Sequence, residues 1–259
     1  MGQPVVLKQL IRNLALMALY PRPLVGLASI PTYIRHWRRF SQLSQGERLR
    51  LADAYPNLGD WVATTPFDPH YFFQAAWLAR QLAGAPPARH LDIGSDVKLI
   101  GTLSAFVPTE FMDFRPLEAS LPGLECTKGD ILALPMVDGS VPSLSCLHVV
   151  EHIGLGRYGD PIDPQGSYKA LVELARVLAP GGRLYLSVPV GRERICFNAH
   201  RVFAPETIVA LSGQLALRSF SLVDDAGRFW PECAPAQALG LDYGCGMFVL
   251  EKPRPTLVT

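Results

Sequence analysis

The 259-residue chain contains no C-x-x-C pair, and its five cysteines (Cys126, Cys146, Cys196, Cys233, Cys245) are scattered and odd in number. That spacing speaks against a zinc ribbon, a redox dithiol or a secreted disulfide framework, and it fits free thiols in a reducing, cytoplasmic compartment. Acidic residues are missing from the first 46 positions, which hold Lys8, Arg12, Arg22, Arg35, Arg38 and Arg39. The basic character is therefore local to the N-terminus, since the whole chain carries a net charge of only +1. No basic stripe follows in the body of the chain, so a nucleic-acid partner is not expected. Long hydrophobic runs are also missing. The longest uncharged stretch near the N-terminus, Pro23 to Ile34, has twelve residues and two prolines, against the roughly 20 needed to cross a bilayer. Arg12 interrupts the apolar core that a signal peptide would need, and no small-residue cleavage site follows.

What is present is an apolar chain, 49% hydrophobic and 18% charged, as expected of a globular protein with a sizeable core. Leu7, Leu10, Ile11, Leu14 and Met17 or Ala18 recur at helical spacing with Lys8 and Arg12 off the stripe, and Arg35-His36-Trp37-Arg38-Arg39-Phe40 interleaves cations with aromatics. Such a segment, residues 1–44, suits either peripheral contact with the anionic inner face of a membrane or packing on its own domain. Further helical stretches follow near Gln45–Ala54 and His70–Leu82. Gly84-Ala-Pro-Pro-Ala88 then punctuates the chain and divides a helical segment, 1–86, from the remainder, 87–259.

Beyond that point strands alternate with helices. Short apolar runs predict strands at Arg89–Ile93, Glu110–Phe114, Leu124–Lys128, Ser143–Val149 and Arg183–Val188, with closing strands at Leu217–Val223 and Gly246–Glu251. Helices are predicted at Gly166–Leu178 and Pro205–Gln214. The pattern implies a doubly wound, mostly parallel seven-stranded sheet, in which ligands bind outside the carboxyl ends of the strands.

Four polar sets fall at those ends. Asp92-Ile-Gly94-Ser95-Asp96 follows the first strand, and its glycine permits close backbone approach to a nucleotide-type ligand. Asp113 ends the second strand nineteen residues after Gly94, a spacing suited to a carboxylate on a ribose diol. Gly129-Asp130-Ile131 follows the third strand, placing a carboxylate and an apolar side chain where an adenine could be held. The run from His148 through Glu151, His152, Arg157 and Tyr158 to Asp160 follows the fourth and is too polar and glycine-rich for a plain connector.

The series Leu91-Asp-Ile-Gly94, Asp113, Gly129-Asp-Ile-Leu-Ala-Leu-Pro135, Val150-Glu-His152 and Leu178-Ala-Pro-Gly-Gly-Arg-Leu-Tyr-Leu-Ser-Val-Pro189 resembles the class I S-adenosylmethionine-dependent methyltransferases. Asp113-Phe-Arg-Pro116, Glu151–Asp160, Phe197-Asn-Ala-His-Arg201 and His70-Tyr-Phe-Phe-Gln74 are similar to stretches of a bacterial methyltransferase-like group of unknown function. The resemblance implies a Rossmann-like methyltransferase fold, S-adenosylmethionine as cofactor, Asp113 on its ribose, Gly94 beneath its methionine portion and Asp130 near its adenine. Asp92, Ser95, Ile131 and His148 complete the expected cofactor set. Where the class has further glycines after the first strand, this chain has Ser95-Asp96-Val97-Lys98.

Methyl transfer to an oxygen or nitrogen acceptor can require a base, and the candidates are His152, His200 and Asp160. Arg157 and Arg201 are candidates to grip an anionic group on a small-molecule or saccharide acceptor, with Tyr158, Tyr71 and Gln74 beside it. The alternative is a non-catalytic binding protein that retains the fold. His148-Val-Val-Glu151-His152 also spells a metalloprotease-like H-x-x-E-H string. Its first histidine closes an apolar strand run, and Gly154 and Gly156 deny the helix that chemistry needs, so no metal is expected.

Overall fold

The computed structural model describes residues 27–44 and 48–255. The apolar stripe at 7–18 and the start of the helix expected from Gln45 lie outside these. No helix among the described residues is long and apolar enough to cross a membrane. The chain separates into two compact units between Phe67 and Asp68.

In the first unit, helix α1 (Ile30–Leu43) carries Pro31 in its first turn, where the missing N–H would have had no partner. The proline therefore starts a helix here. Tyr33 packs on Trp37 and His36 meets the edge of Trp61, with ring centroids 6.0 and 5.3 Å apart. Of the stretch expected to be helical near Gln45–Ala54, the described part forms only a 3-10 turn, Leu51–Asp53. It has no side-chain cap, and Pro56 follows too closely for a stable helix to propagate.

The second unit begins with α2 (Pro69–Gly84), whose N-terminus is capped by the Asp68 carboxylate accepting from His70 N and Tyr71 N. Trp77, Leu78 and Leu82 of α2 are buried in one cluster with residues of the sheet. This helix thus packs with the sheet, and the second compact unit begins at Asp68, because the apolar face of α2 is covered by strands that follow it.

Then come β1 (His90–Ile93), α3 (Val97–Leu103), β2 (Thr109–Asp113), β3 (Leu124–Lys128), β4 (Val141–Leu147), α4 (Gly166–Val177) and β5 (Leu178–Val190). The hairpin β6 (Arg194–Cys196) and β7 (His200–Val202), α5 (Pro205–Leu211), β8 (Ala216–Val223), β9 (Phe229–Trp230) and β10 (Gly244–Glu251) follow. The sheet has eight strands in the order β3-β2-β1-β4-β5-β10-β8-β9, one more than expected. The addition is the two-residue edge strand β9, too short to leave a periodic signal. Strands β3 to β5 run parallel, and β10 is antiparallel to β5 and β8. Leu171, Leu174 and Ile208 of α4 and α5 pack in one apolar cluster, while α2 and α3 contribute to the other. The sheet is doubly wound.

The central strand β1 is buried along its whole length, yet it carries His90 and Asp92. The His90 ring lies 2.8 Å from Ser143 Oγ through Nδ1 and 2.8 Å from Ser145 Oγ through Nε2. Ser145 also donates to Asp92, so polar groups on β1 are satisfied by serines on β4. Burial holds the His90 pKa down at about 4, so the folded protein keeps this ring neutral while the unfolded chain protonates it near 6.5. The stability this gives is present above pH 6.5 and is lost as pH falls toward 4. His90→Asn, which cannot titrate, therefore costs less relative to wild type at pH 4.5 than at pH 7.5. Denaturant unfolding at the two pH values should show the gap narrowing by about 2 kcal/mol; a gap independent of pH would refute the neutral buried ring.

Candidate cofactor cleft and its polar floor

Strand order reverses between β1 and β4, and at their carboxyl ends lies a cleft of about 860 Å³ including its open mouth. Gly94, at φ +68°, forms its base. A Cβ at Gly94 would sit 3.3 Å from Val149 and 3.4 Å from Asp113 Oδ2. The left-handed turn and the close approach of two walls both call for glycine. Asp113 Oδ1 accepts from Arg115 N at 2.7 Å, which orients the carboxylate at the end of β2. Asp130 Oδ1 accepts from Leu132 N at 2.9 Å, while Ile131 is buried against the cleft.

Asp92 and Ser95, both expected on the cofactor, do not line this cleft. Asp92 is fully buried and accepts from Ser95 N, Ser95 Oγ and Ser145 Oγ. Burial raises its pKa to about 6 against the opposing pull of these hydrogen bonds. Ser95 Oγ in turn accepts from Leu147 N at 3.0 Å, tying the β1 turn to β4. Asp96 caps α3 by accepting from Lys98 N and Leu99 N. Of the residues that replace further glycines, Ser95 and Asp96 thus spend their side chains on local hydrogen bonds, while Val97 and Lys98 are exposed.

Beyond Gly94 the floor is polar. His148 is a non-glycine residue at φ +54°, a conformation that costs energy and is found at functional sites. Its Nδ1 lies 2.8 Å from Glu151 Oε1. Its Nε2 is buried without a hydrogen-bond partner. Burial opposes charge on this ring, but Cys245 and Glu151 push its pKa up to about 10. Glu151 is fully buried and also lies 3.7 Å from His152 Nε2. The string His148-x-x-Glu151-His152 closes in a 3-10 turn, Val150–His152, so the two histidines flank one carboxylate instead of sitting a helical turn apart.

His152 lines the cleft, with Nδ1 2.6 Å from the Ala199 carbonyl. Burial is the main cause that lowers its pKa. The ring is then neutral, donates Nδ1–H to Ala199 and keeps its lone pair on Nε2. Arg157 Nη1 lies 3.4 Å from that nitrogen. Asp160 also lines the cleft, but its carboxylate accepts from Gly154 N, Gly156 N and Tyr158 N. Burial works against its charge, yet these backbone donors hold its pKa below the usual carboxylate range. Asp160 is therefore a brace for the loop and a poor base.

Arg201 is 6% exposed and donates to the Ile153 carbonyl at 2.7 Å and to Ser167 Oγ at 2.9 Å. Its guanidinium fastens the loop after β4 to the start of α4, which removes it from the acceptor. Gln74 is likewise buried, accepting from Ser187 Oγ of β5. Tyr71 is half-exposed and stacks on His148 at 5.5 Å. His200 leaves the cleft lining and faces Tyr243 at 4.9 Å. The mouth holds Tyr158 between two cations, Arg115 at 4.5 Å and Arg157 at 5.1 Å from the ring centroid. Arg115 and Glu151 were not singled out as site residues in the sequence, although Asp113-Phe-Arg-Pro116 and the H-x-x-E-H string both carried them.

A family profile described as a Caenorhabditis protein of unknown function, DUF268, matches residues 140–224. The chain is 39% identical over 70 residues to an uncharacterised 37.1 kDa protein in transposon TN4556 of Streptomyces fradiae. That match takes in 27% of this chain and only 17% of the length of that relative. Among solved structures, the [4+2]-cyclase SpnF superposes with a TM-score of 0.53 at 13% identity, over 70% of this chain and 80% of its own. NodS, an N-methyltransferase of Bradyrhizobium japonicum, gives 0.50 at 16% identity over 72% and 98%. YcgJ of Bacillus subtilis gives 0.50 at 14% over 71% and 99%. The chain has the Rossmann-like fold of the class I S-adenosylmethionine-dependent methyltransferases. The cyclase among the similar structures is a reminder that a fold hosts more than one chemistry, so activity has to be argued from the site.

Proposed function

We propose that the cleft binds S-adenosylmethionine and that the protein transfers its methyl group to a small acceptor carrying an anionic group. The observation that carries this reading is the meeting of Gly94, Asp113 and Ile131 around one cleft at the point where strand order reverses. The residues fit the group. Asp113 presents a carboxylate for a ribose diol, Ile131 and Leu132 offer apolar surface for an adenine, and Gly94 leaves backbone room for the methionine portion. Asp130, exposed at the same edge, can accept from an amino group. When bound, S-adenosylmethionine supplies a sulfonium-activated methyl group for in-line attack.

The chain's own contribution is to align the acceptor, exclude water and hold a proton. His152 Nε2 carries a lone pair near neutral pH, and it would take a proton from an oxygen or nitrogen acceptor. Arg157 and Arg115, spread on the Tyr158 ring, would draw a carboxylate or phosphate of the acceptor to the mouth. The other reading, a binding protein with a retained fold, drew on Ser95 and Asp96 in place of glycines. Ser95 Oγ is committed to Asp92 and the Asp96 carboxylate to the start of α3, and neither residue lines the cleft, which supports the cofactor reading. Isothermal titration of the full chain with S-adenosylhomocysteine should give one saturable site, weakened about tenfold or more in Asp113→Ala, a loss of roughly 1.4 kcal/mol. Absence of binding, or unchanged affinity in Asp113→Ala, would exclude the cofactor as placed here.

A membrane contact through residues 1–44 is a further part of this reading. It is supported by α1, where Ile30, Ile34 and Phe40 are exposed alongside Arg35, Arg38 and Arg39. Flotation with anionic vesicles should recover the wild-type chain and lose the variant with Arg35, Arg38 and Arg39 all changed to Glu; equal recovery would count against the contact.

A further inference from the structure

Behind the cleft, His70 at the start of α2, His148 after β4 and Cys245 at the start of β10 converge. One donor atom from each lies within 4.8 Å of the other two. The three residues come from distant parts of the sequence, and His70 and Cys245 serve no role in binding or methyl transfer as argued above.

Several independent observations mark this cluster as more than packing. The His148 side chain is 5% exposed, and its Nε2 is buried with no hydrogen-bond partner. Nature rarely leaves such a nitrogen unmatched. Its other nitrogen, Nδ1, is fixed at 2.8 Å from the buried Glu151 carboxylate. A ring nitrogen tied to an oxygen while the other is left over is the arrangement that orients metal-ligating histidines. Cys245 is fully buried and forms no disulfide. The rings of His70 and His148 stack at 5.5 Å, with Tyr71 and Tyr243 closing the sides.

We propose that His70, His148 and Cys245 bind one zinc ion. Two imidazoles and a thiolate are a borderline-soft donor set suited to zinc and poorly suited to magnesium or calcium. Tetrahedral zinc, with bonds of about 2.0–2.3 Å, holds its donors roughly 3.3–3.8 Å apart. The cluster would therefore tighten by about 1 Å, chiefly through the less buried His70. Three protein ligands leave a fourth position for water or for a heteroatom of an acceptor, the pattern of catalytic rather than purely structural zinc. His148 lines the cleft as well, so the ion would stand at the wall of the cavity. Binding requires thiolate and neutral imidazole, and so displaces protons and weakens as pH falls.

The test uses the full chain, stripped with a chelator and titrated with cobalt(II) and then zinc. The expected result is one equivalent of cobalt per chain, a thiolate-to-cobalt charge-transfer band with tetrahedral ligand-field bands, and displacement by one equivalent of zinc. Cys245→Ser should abolish the charge-transfer band, and His70→Ala should weaken zinc at least tenfold. His148→Asn removes a ligand while tolerating the left-handed backbone, and should weaken zinc likewise with unchanged circular dichroism. Glu151→Gln should weaken it by about 10- to 100-fold. Cys196→Ser, a thiol on β6 outside the cluster, should leave every signal in place. The proposal is overturned if the wild-type chain takes up less than one-tenth equivalent of metal. It is equally overturned if the band persists in Cys245→Ser, or if His70→Ala and folded His148→Asn bind zinc as wild type does. Neither result bears on S-adenosylhomocysteine binding, which is read separately by calorimetry.

Discussion

A carboxylate with no exposure to solvent, Glu151, organises the floor of the cleft. A buried charge is costly unless cations or donors surround it, and here the donor is the His148 ring at 2.8 Å. Its backbone carbonyl lies 3.5 Å from the buried Arg201 guanidinium, which reaches across from β7 and also ties down Ile153 and Ser167. The orientation of both imidazoles, and the course of the loop as far as Asp160, follow from satisfying these groups together. Local strain at His148 persists because its partners over-determine it.

The sheet supplies the rest of the geometry. Five parallel strands bring Gly94, Asp113, Asp130 and His148 to one edge, and the antiparallel β10 brings Cys245 beside them. The buried chain of His90, Ser145, Asp92 and Ser95 fixes the β1 turn to β4. The cleft is thus floored by one polar network, while the other does not line it and instead fixes the turn that carries Gly94.

Strand positions were legible where central parallel strands are apolar runs, as at β4 and β5. The short pieces were not: β9 has two residues, and β6 and β7 have three each, below any periodic signal. Asp113, Gly94 and Ile131 could be placed at the cleft from spacing along β1 to β3. Arg201, Gln74 and Asp160 could not be told from ligand-facing residues, because a polar residue in a loop or helix reads the same whether it binds a substrate or a backbone carbonyl. The convergence of His70, His148 and Cys245 is invisible to any motif, since metal-ligand spacing rules detect neighbours in sequence and these three meet only through the crossover of the fold. The expectation of no metal rested on the scattered cysteines and on the glycines that deny a helix to the His148–His152 string.

The central claim is that the carboxyl ends of β1 to β4 form a cofactor site. Amide NMR of the full chain during titration with S-adenosylhomocysteine addresses it residue by residue. The account predicts saturable shifts concentrated at Gly94, Asp113, Ile131 and Val149, with the Asp224 turn at the far side of the sheet order unchanged. No shifts at saturating ligand, or shifts that spare Gly94 and Asp113, would contradict it.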